Sequence, residues 1–262
     1  MPAFWGEFAD RVTLIDHMQI MGPEVARPTF NSHVIESCLH RIPGLATQYI
    51  YFNDDVILTN ATGVYDFFDD GGRAKVFFSQ KTIIPSGAGA GWMLAADAAA
   101  VNTRDLLAQH FNHTVTHKFQ HCPIAINKHV MEELETRFKE VFARLRQNRF
   151  RSLTDVAPSG SLYQQYALLT DYAVPGTVTY RYLRVTGWTF ALRLFGIGIC
   201  RAQCRPVVTC LNAVTGGSGP WWNRFAMRWQ MSRLLPDKTY AATWYDLLYY
   251  RVRAVMRRIG QF

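Results

Sequence analysis

Residues 48–55 read QYIYFNDD, a short aromatic and β-branched run that is followed at once by three polar residues. This composition predicts a buried strand at residues 48–52 that ends in an acidic loop formed by Asn53, Asp54 and Asp55. Paired carboxylates at the carboxyl end of a strand can hold Mg²⁺ or Mn²⁺ against a diphosphate. An isolated acidic triplet also fits a simple turn in which these side chains cap the next backbone amides, so residues elsewhere must decide between the two.

Helical and extended patterns alternate around this stretch. Residues 32–42 place apolar side chains on one helical face, begin with an N-cap residue and end at Pro43-Gly44. Residues 130–147 give the clearest helical pattern, with an apolar face and Glu–Arg pairs four residues apart on the outside. Further helices are predicted at 102–111, where Asn102 is the expected N-cap, and at 161–172. Further strands are predicted at 76–79 and 82–84. The alternation over residues 1–180 predicts an α/β core.

The composition limits the class of protein. The chain has 262 residues, of which 49% are hydrophobic and 18% are charged, so it can bury a sizeable core. Its longest apolar run, residues 187–200, is interrupted by Arg193 and falls short of a membrane span. The N-terminal residues lack the pattern of a secretory signal, and five widely spaced cysteines fit reduced thiols. We therefore predict a cytoplasmic protein.

The net charge of +8 is unevenly distributed. Residues 1–180 contain 15 Lys and Arg against 18 Asp and Glu, whereas residues 181–262 contain 13 against 2. We predict a core at 1–180 followed by a basic, aromatic-rich and mainly helical segment at 181–262, with helices at 221–235 and 245–259. Such a segment fits an anionic membrane surface, a polyanionic substrate or nucleic acid. Residues 245–259 form an amphipathic pattern that either rests in a membrane interface or packs on the core.

Four histidines lie within twelve residues, at positions 110, 113, 117 and 121. No acidic residue lies between them, which disfavours a metalloprotease helix, and we interpret most of them as surface or capping residues. His121 differs, because Cys122-Pro123 favours extended backbone just ahead of the long helix. The imidazole of His121 can therefore be presented at a cleft.

A second cationic motif, Arg149-Phe150-Arg151-Ser152, is followed closely by Asp155. Guanidinium groups bind phosphate with two parallel hydrogen bonds, so Arg149 and Arg151 are candidate phosphate ligands. The alternative is a solvated helix end at which the two arginines complement the helix dipole.

Two ordered blocks of sequence resemble the second and third conserved regions of the Stealth proteins. The first block comprises residues 29–37 (TFNSHVIES), 39–45 (LHRIPGL) and 49–56 (YIYFNDDV). The second block comprises residues 121–123 (HCP), 130–135 (VMEELE), Phe138, Phe142, 148–152 (NRFRS), 154–155 (TD), 161–162 (SL) and 165–167 (QYA). Stealth proteins are bacterial capsule and exopolysaccharide phosphotransferases, related to the catalytic subunit of the animal N-acetylglucosamine-1-phosphotransferase.

The resemblance implies a Rossmann-like (GT-A-like) core and transfer of a sugar 1-phosphate from a UDP-sugar to a hydroxyl of an acceptor glycan, with release of UMP. It implies that Asp54 and Asp55 hold Mg²⁺ or Mn²⁺ and that His121 is the general base. Arg149 or Arg151 would clamp the phosphoryl oxygens. Nucleic acid is not among the implied partners. The remaining candidates, for substrate binding, are Asn31, Ser32, Glu36, Asn53 and Asp155.

Two features depart from the family pattern. The strand-rich first conserved region has no counterpart here, so the expected core is incomplete at its N-terminus. The fourth region normally has Asn-Asp after Cys-Leu, whereas Cys210-Leu211-Asn212 is followed by Ala213. These departures leave three alternatives open: a partner chain that supplies the first region, a non-catalytic remnant, and a protein that binds glycans or the inner face of the membrane. Asn31 and Ser32 either bind substrate or only cap a helix.

Overall fold

The computed structural model describes residues 11–85, 93–199, 206–213 and 220–234. Helices and strands are mixed along this part of the chain, which confirms the predicted α/β class. The strands are β1 (Gln48–Tyr51), β2 (Val56–Leu58), β3 (Ala74–Val76), β4 (Phe78–Thr82), β5 (His117–Phe119), β6 (Ile124–Asn127), β7 (Ala173–Pro175), β8 (Tyr180–Arg184) and β9 (Val208–Asn212). The helices are α1 (His17–Ile20), α2 (Ser32–Glu36), α3 (Ala95–Phe111), α4 (Lys128–Arg137), α5 (Lys139–Arg146), α6 (Tyr163–Leu169), α7 (Phe190–Ile199) and α8 (Trp221–Leu234).

The chain divides into two compact units. The first unit comprises residues 1–14, 53–62 and 178–262, and the second comprises residues 15–52 and 63–177. The functional division into a core at 1–180 and a basic segment at 181–262 stays a prediction.

The second unit contains three small sheets. Strand β1 pairs with β6 and β4 pairs with β5, both antiparallel, whereas β3 and β7 are parallel. In the β1–β6 pair, Tyr51 faces Ile124, so the carboxyl end of β1 lies beside the first residue of β6. The turn that holds His121 therefore lies at the same end of this sheet as the end of β1. The strand predicted at 48–52 exists as β1, but it is half-buried rather than buried, and among the described residues it pairs with β6 alone.

The apolar face predicted at 130–147 is confirmed, since Val130, Leu134, Phe142 and Leu145 are at most 2% exposed. The prediction of a single helix is wrong, because Phe138 has non-helical dihedral angles (φ −112°, ψ 38°) and separates α4 from α5. At this break the Phe138 ring packs edge-on against His110 and Tyr166, at centroid distances of 5.0 and 6.2 Å. The helix is thus interrupted at Phe138, whose ring packs against side chains of other elements.

Other predicted boundaries also change. The helix predicted at 32–42 is α2 followed by a separate turn of 3₁₀-helix at Leu39–Arg41. Helix α3 begins seven residues before Asn102, which therefore does not cap it. The Asn102 side chain instead donates to the backbone carbonyls of Leu153 and Asp155, both at 2.8 Å. The helix predicted at 161–172 is α6. The strand predicted at 76–79 is wrong in its bounds, because Val76 ends β3 and residues 78–79 begin β4. The separate strand predicted at 82–84 is also wrong, since only Thr82, the last residue of β4, belongs to a strand.

A buried ion network ties α2 to the pair α4–α5. Arg146, only 3% exposed, donates to the carboxylate of Glu135 at 2.5 Å and to the backbone oxygen of Ser37 at 2.7 Å. Arg41 and His40 also contact Glu135, at 2.6 and 2.7 Å. Because a buried guanidinium needs partners on all sides, this network fixes the end of α2 against α5.

The first unit is built on the three-stranded sheet β2-β9-β8. Strand β2 is antiparallel to β9, and β8 is parallel to β9. Helices α7 and α8 contribute Phe190, Leu194 and Met227 to a buried cluster with Leu183 and Leu211 of the sheet. The helix predicted near 221–235 is confirmed as α8.

No helix in the described part of the chain is long and apolar enough to cross a membrane. The amphipathic segment predicted at residues 245–259 lies outside the described residues.

Candidate active site

Asn31 is the N-cap of α2 and is completely buried. Its side-chain oxygen accepts a hydrogen bond from the backbone amide of His33 at 3.1 Å, which satisfies one of the free amides at the helix start. The capping interpretation is therefore confirmed for Asn31. Its side-chain amide makes a further contact, in which Nδ2 donates a hydrogen bond to Oδ2 of Asp155 at 2.8 Å.

Asp155 is the buried centre of this part of the second unit, with no exposed surface. Besides the bond from Asn31, its carboxylate accepts hydrogen bonds from Nδ2 of Asn148 at 2.7 Å and from the backbone amide of Ser152 at 3.0 Å. The Nδ1 atom of His33 lies 3.5 Å away from the same carboxylate. A buried carboxylate with three donors is well compensated, so the segment 148–155 is held to α2 from the inside.

The two arginines of this segment are both exposed, but they point to different partners. Nε of Arg149 donates to the backbone oxygen of Pro28 at 3.0 Å, whereas Nη2 of Arg151 donates to Oγ of Ser32 at 2.7 Å. The rings of Phe30 and Phe150 stack at 5.3 Å beside them. Arg151 is thus directed to the first turn of α2, and Arg149 to the residues that precede it.

Glu36, the last residue of α2, is a buried carboxyl group next to cationic residues. Burial raises its pKa to about 7, because the charged form loses water. Arg151 and His121 favour the charged form electrostatically and limit this rise in pKa. The hydroxyl of Tyr51 also donates to Glu36, at 3.5 Å. His121 and Arg151 thus each lie within electrostatic reach of Glu36 in the second unit.

His121 is exposed, in a bend rather than in extended backbone between β5 and β6, and its position at a cleft stays a prediction. Its neighbour Cys122 is buried, and burial raises the pKa of this thiol to about 12, which leaves it unreactive. Of the pair, only the His121 side chain is exposed to solvent.

Asn53, Asp54 and Asp55 lie in the first unit. The backbone oxygen of Asn53 accepts a bond from the amide of Val56, so a turn forms here. Oδ2 of Asp55 accepts hydrogen bonds from Nδ2 of Asn212 at 2.7 Å and from Sγ of Cys210 at 3.5 Å. Asp54 is exposed. Two adjacent carboxylates, one oriented by an amide, offer the oxygen ligands that Mg²⁺ and Mn²⁺ prefer, so the residues fit such a cation.

The sequence prediction missed three residues that the structure places among the candidates. His33 and Asn148 contact Asp155, and Asn212 contacts Asp55. His33 lies in the motif NSHVIES, Asn148 in NRFRS and Asn212 in Cys-Leu-Asn. Their position beside predicted site residues was the sequence feature that could have identified them. Burial lowers the pKa of His33, and the nearby Arg151 acts in the same direction.

The raised pKa of Glu36 predicts a pH-dependent stability. The folded chain binds this proton more tightly than the unfolded chain does, so stability falls as the pH rises from the ordinary value of 4.5 through about 7. Glu36→Gln is always neutral and should escape this loss. Relative to the wild type, the free energy of unfolding of this variant should increase by roughly 2–3 kcal/mol between pH 5 and pH 8, as measured by urea titration.

The control for this measurement is Glu140→Gln, which changes an exposed glutamate on α5 and should follow the wild type at both pH values. A Glu36→Gln variant whose stability difference from the wild type stays constant with pH would contradict the raised pKa.

Comparison with known proteins agrees with the motifs. Residues 1–76 match the family model of Stealth protein CR2, conserved region 2, and residues 120–169 match that of Stealth protein CR3, conserved region 3. The two matched ranges contain every residue of the predicted site.

Three relatives illustrate the similarity. Exopolysaccharide phosphotransferase SCO6023 of Streptomyces coelicolor is 37% identical over 214 residues, which are 80% of this chain and 35% of the relative. Exopolysaccharide phosphotransferase SCO6021 of the same organism is 37% identical over 194 residues, 74% of this chain and 36% of the relative. Exopolysaccharide phosphotransferase CpsY of Mycobacterium tuberculosis is 36% identical over 174 residues, 66% of this chain and 32% of the relative. The chain spans about a third of the length of these curated relatives. With the second and third conserved regions both present and in order, the chain belongs to the Stealth protein family.

Proposed function

We propose that this chain carries catalytic residues of a phosphotransferase that moves a sugar 1-phosphate from a UDP-sugar to a hydroxyl of an acceptor glycan, in exopolysaccharide or capsule synthesis. The names of its relatives support the exopolysaccharide phosphotransferase class. The UDP-sugar donor, the capsule, the cytoplasmic location and a GT-A-like, Rossmann-like core are parts of the proposal. The parallel pairs β3–β7 and β8–β9 are compatible with such a core.

The observation that carries the proposal is the placement of a base, a buried acid and a guanidinium in one unit. His121 is exposed and lies within electrostatic reach of Glu36, which is also influenced by Arg151. Transfer to a hydroxyl needs a group that removes a proton and cationic groups that stabilise phosphoryl oxygens. These side chains supply both requirements.

In the proposed reaction, the oxygen of the acceptor hydroxyl attacks the β-phosphorus. Nδ1 or Nε2 of His121 accepts the proton of this hydroxyl. The bond from this phosphorus to the bridging oxygen breaks, and UMP leaves. Arg151, with Arg149, binds the phosphoryl oxygens, while an ionised Glu36 stabilises the imidazolium that forms on His121. Ser32 and Asn53 are the remaining proposed contacts with the substrate, whereas Asn31 and Asp155 are completely buried and support the second unit from the inside.

Asp54 and Asp55 would hold Mg²⁺ or Mn²⁺, which neutralises diphosphate charge when bound.

The test of the proposed function is release of UMP from a panel of UDP-sugars with an acceptor glycan, followed by mass spectrometry. Turnover by this chain alone supports the proposal. Turnover only after addition of a second chain that supplies the first conserved region would support the partner-chain alternative, and the absence of turnover in both cases would support a non-catalytic remnant.

The proposal includes peripheral contact with an anionic membrane. Trp188, Leu192 and Trp221 are 69–76% exposed around α7 and α8, and the exposed Arg193 and Arg224 lie on the same two helices. Residues 181–234 contain no Asp or Glu. Exposed tryptophan together with arginine is typical of interfacial membrane binding.

We expect the intact chain to float with vesicles that contain phosphatidylglycerol, and to be released at high salt because screening weakens the attraction. Trp188→Ser combined with Trp221→Ser should reduce flotation severalfold, since each exposed indole contributes apolar contact. Tyr65→Ser, which removes an exposed aromatic residue of the second unit, should leave flotation unchanged. Flotation that is absent, or equal for neutral phosphatidylcholine vesicles, would contradict the membrane contact.

A further inference from the structure

We propose that Asp155 and Asn31 are positioning residues that fix Arg151, rather than groups that touch the substrate. Both side chains have no exposed surface, so a donor or acceptor molecule cannot reach them without rearrangement of α2. Their importance for turnover rests on the proposed function, in which Arg151 binds phosphoryl oxygens. Their effect on the position of Arg151 does not depend on it.

The segment 148–155 needs an interior anchor. It connects α5 to the turn at Pro158–Leu162, and Phe150 and Leu153 are 65% and 49% exposed, so side-chain packing holds it only weakly. The carboxylate of Asp155 accepts hydrogen bonds from two other points of this segment, the side chain of Asn148 and the backbone amide of Ser152. Arg151 lies between these two attachment points.

Asn31 joins the segment 148–155 to α2. Its amide Nδ2 lies 2.8 Å from the Asp155 carboxylate and 3.3 Å from the backbone oxygen of Phe150, the residue before Arg151. The backbone amide of Phe30 donates to the oxygen of Arg149 at 2.7 Å. Together with the bond from Nε of Arg149 to the oxygen of Pro28, these contacts hold the chain before α2 to the chain around Arg151 at several points.

The result of this attachment is visible at the guanidinium group. Arg151 reaches Oγ of Ser32, which follows Asn31 directly, and influences Glu36 at the other end of α2. An exposed arginine ordinarily samples many rotamers, and a group that must meet phosphoryl oxygens benefits when its geometry is fixed before the substrate binds. Asp155 and Asn31 fix this geometry by holding the backbone around Arg151, not by direct contact with its guanidinium group.

The first experiment measures Arg151 directly. We would record ¹⁵N relaxation of the arginine Nε–Hε groups in the full chain and assign Arg151 by the signal missing in Arg151→Lys. The Nε–Hε group of Arg151 should be ordered in the wild type and mobile in Asp155→Asn, which replaces an acceptor of three hydrogen bonds by an amide. Asp70→Asn, an exposed change of the same kind, should leave it ordered. An Arg151 that stays ordered in Asp155→Asn would overturn the proposal.

A second variant guards against failure of Asp155→Asn to fold. Asn31→Ser keeps an N-cap oxygen for α2 but removes the amide that reaches Asp155 and Phe150. It should also mobilise Arg151, and an Arg151 that stays ordered in this variant would likewise overturn the proposal.

The second experiment is a double-mutant cycle on kcat/KM. Arg151→Ala should lower kcat/KM by roughly 10²- to 10³-fold, and Asp155→Asn by roughly 10-fold or more. If Asp155 acts through Arg151, the double variant should be no slower than Arg151→Ala, because the positioned group is already gone. Additive losses would overturn the positioning role. A wild type that releases no UMP while Asp155→Asn still mobilises Arg151 would instead reject the proposed function and leave the positioning intact.

Discussion

Replacing His121 by alanine is expected to lower kcat by roughly 10²- to 10⁴-fold, the usual contribution of a general base. The reason is that His121 is exposed at the end of the β1–β6 sheet and lies close enough to Glu36 to influence its ionisation. In the proposed reaction it accepts the proton of the acceptor hydroxyl. The fold should be retained, because the exposed imidazole is not part of the buried core. KM for the UDP-sugar should change little.

The control is His113→Ala, an exposed histidine just beyond the end of α3, which should retain full activity. Steady-state kinetics and circular dichroism of both variants check the prediction. A His121→Ala variant that turns over normally, or one that is unfolded, would show that His121 is a surface or structural residue instead.

Removal of divalent cations is expected to abolish UMP release, with a loss of more than about 10²-fold, because several kcal/mol of charge stabilisation on the diphosphate disappear. Readdition of Mg²⁺ or Mn²⁺ should restore the activity. Asp54→Asn and Asp55→Asn should each show a comparable loss, since each removes one negative oxygen ligand. Asp55→Asn should in addition disturb the contact with Asn212, so its affinity for the cation is the lower of the two.

Asp70→Asn again provides the matched control, because it changes an exposed carboxylate in a turn of the second unit. The measurement is UMP release at controlled free Mg²⁺ after treatment with EDTA. Unchanged release in EDTA, or near-normal turnover of both Asp54→Asn and Asp55→Asn, would contradict the metal assignment.

Local patterns predicted which elements exist better than where they begin and end. The apolar face of residues 130–147 is buried as its periodicity required, but no local pattern indicated the break at Phe138, which depends on contacts with His110 and Tyr166. Similarly, Asn102 is a good N-cap residue by type, yet its amide binds the backbone of Leu153 and Asp155 from the middle of α3. In both cases a partner distant in sequence determined the outcome.

The candidate site shows the same division. His121 and Arg151 were selected as candidates by residue type and position, because phosphoryl transfer needs a base and cations, and Glu36 was selected by the resemblance to the family motif; the roles of all three stay predictions. The burial of Asn31 and Asp155 could not be predicted, since their hydrogen bond joins positions 124 residues apart. A polar residue in a family motif can equally face the substrate or hold the residue that does.

The measurement that tests the central claim most directly traces the β-phosphate of the donor. The chain is incubated with a UDP-sugar labelled with ³²P in the β-phosphate, Mg²⁺ and an acceptor glycan, and the products are separated. Transfer of a sugar 1-phosphate predicts that the label appears in the glycan, in a phosphodiester, while unlabelled UMP is released. Label that stays in UDP while the sugar alone reaches the glycan would contradict the account, because it would identify a glycosyl transfer.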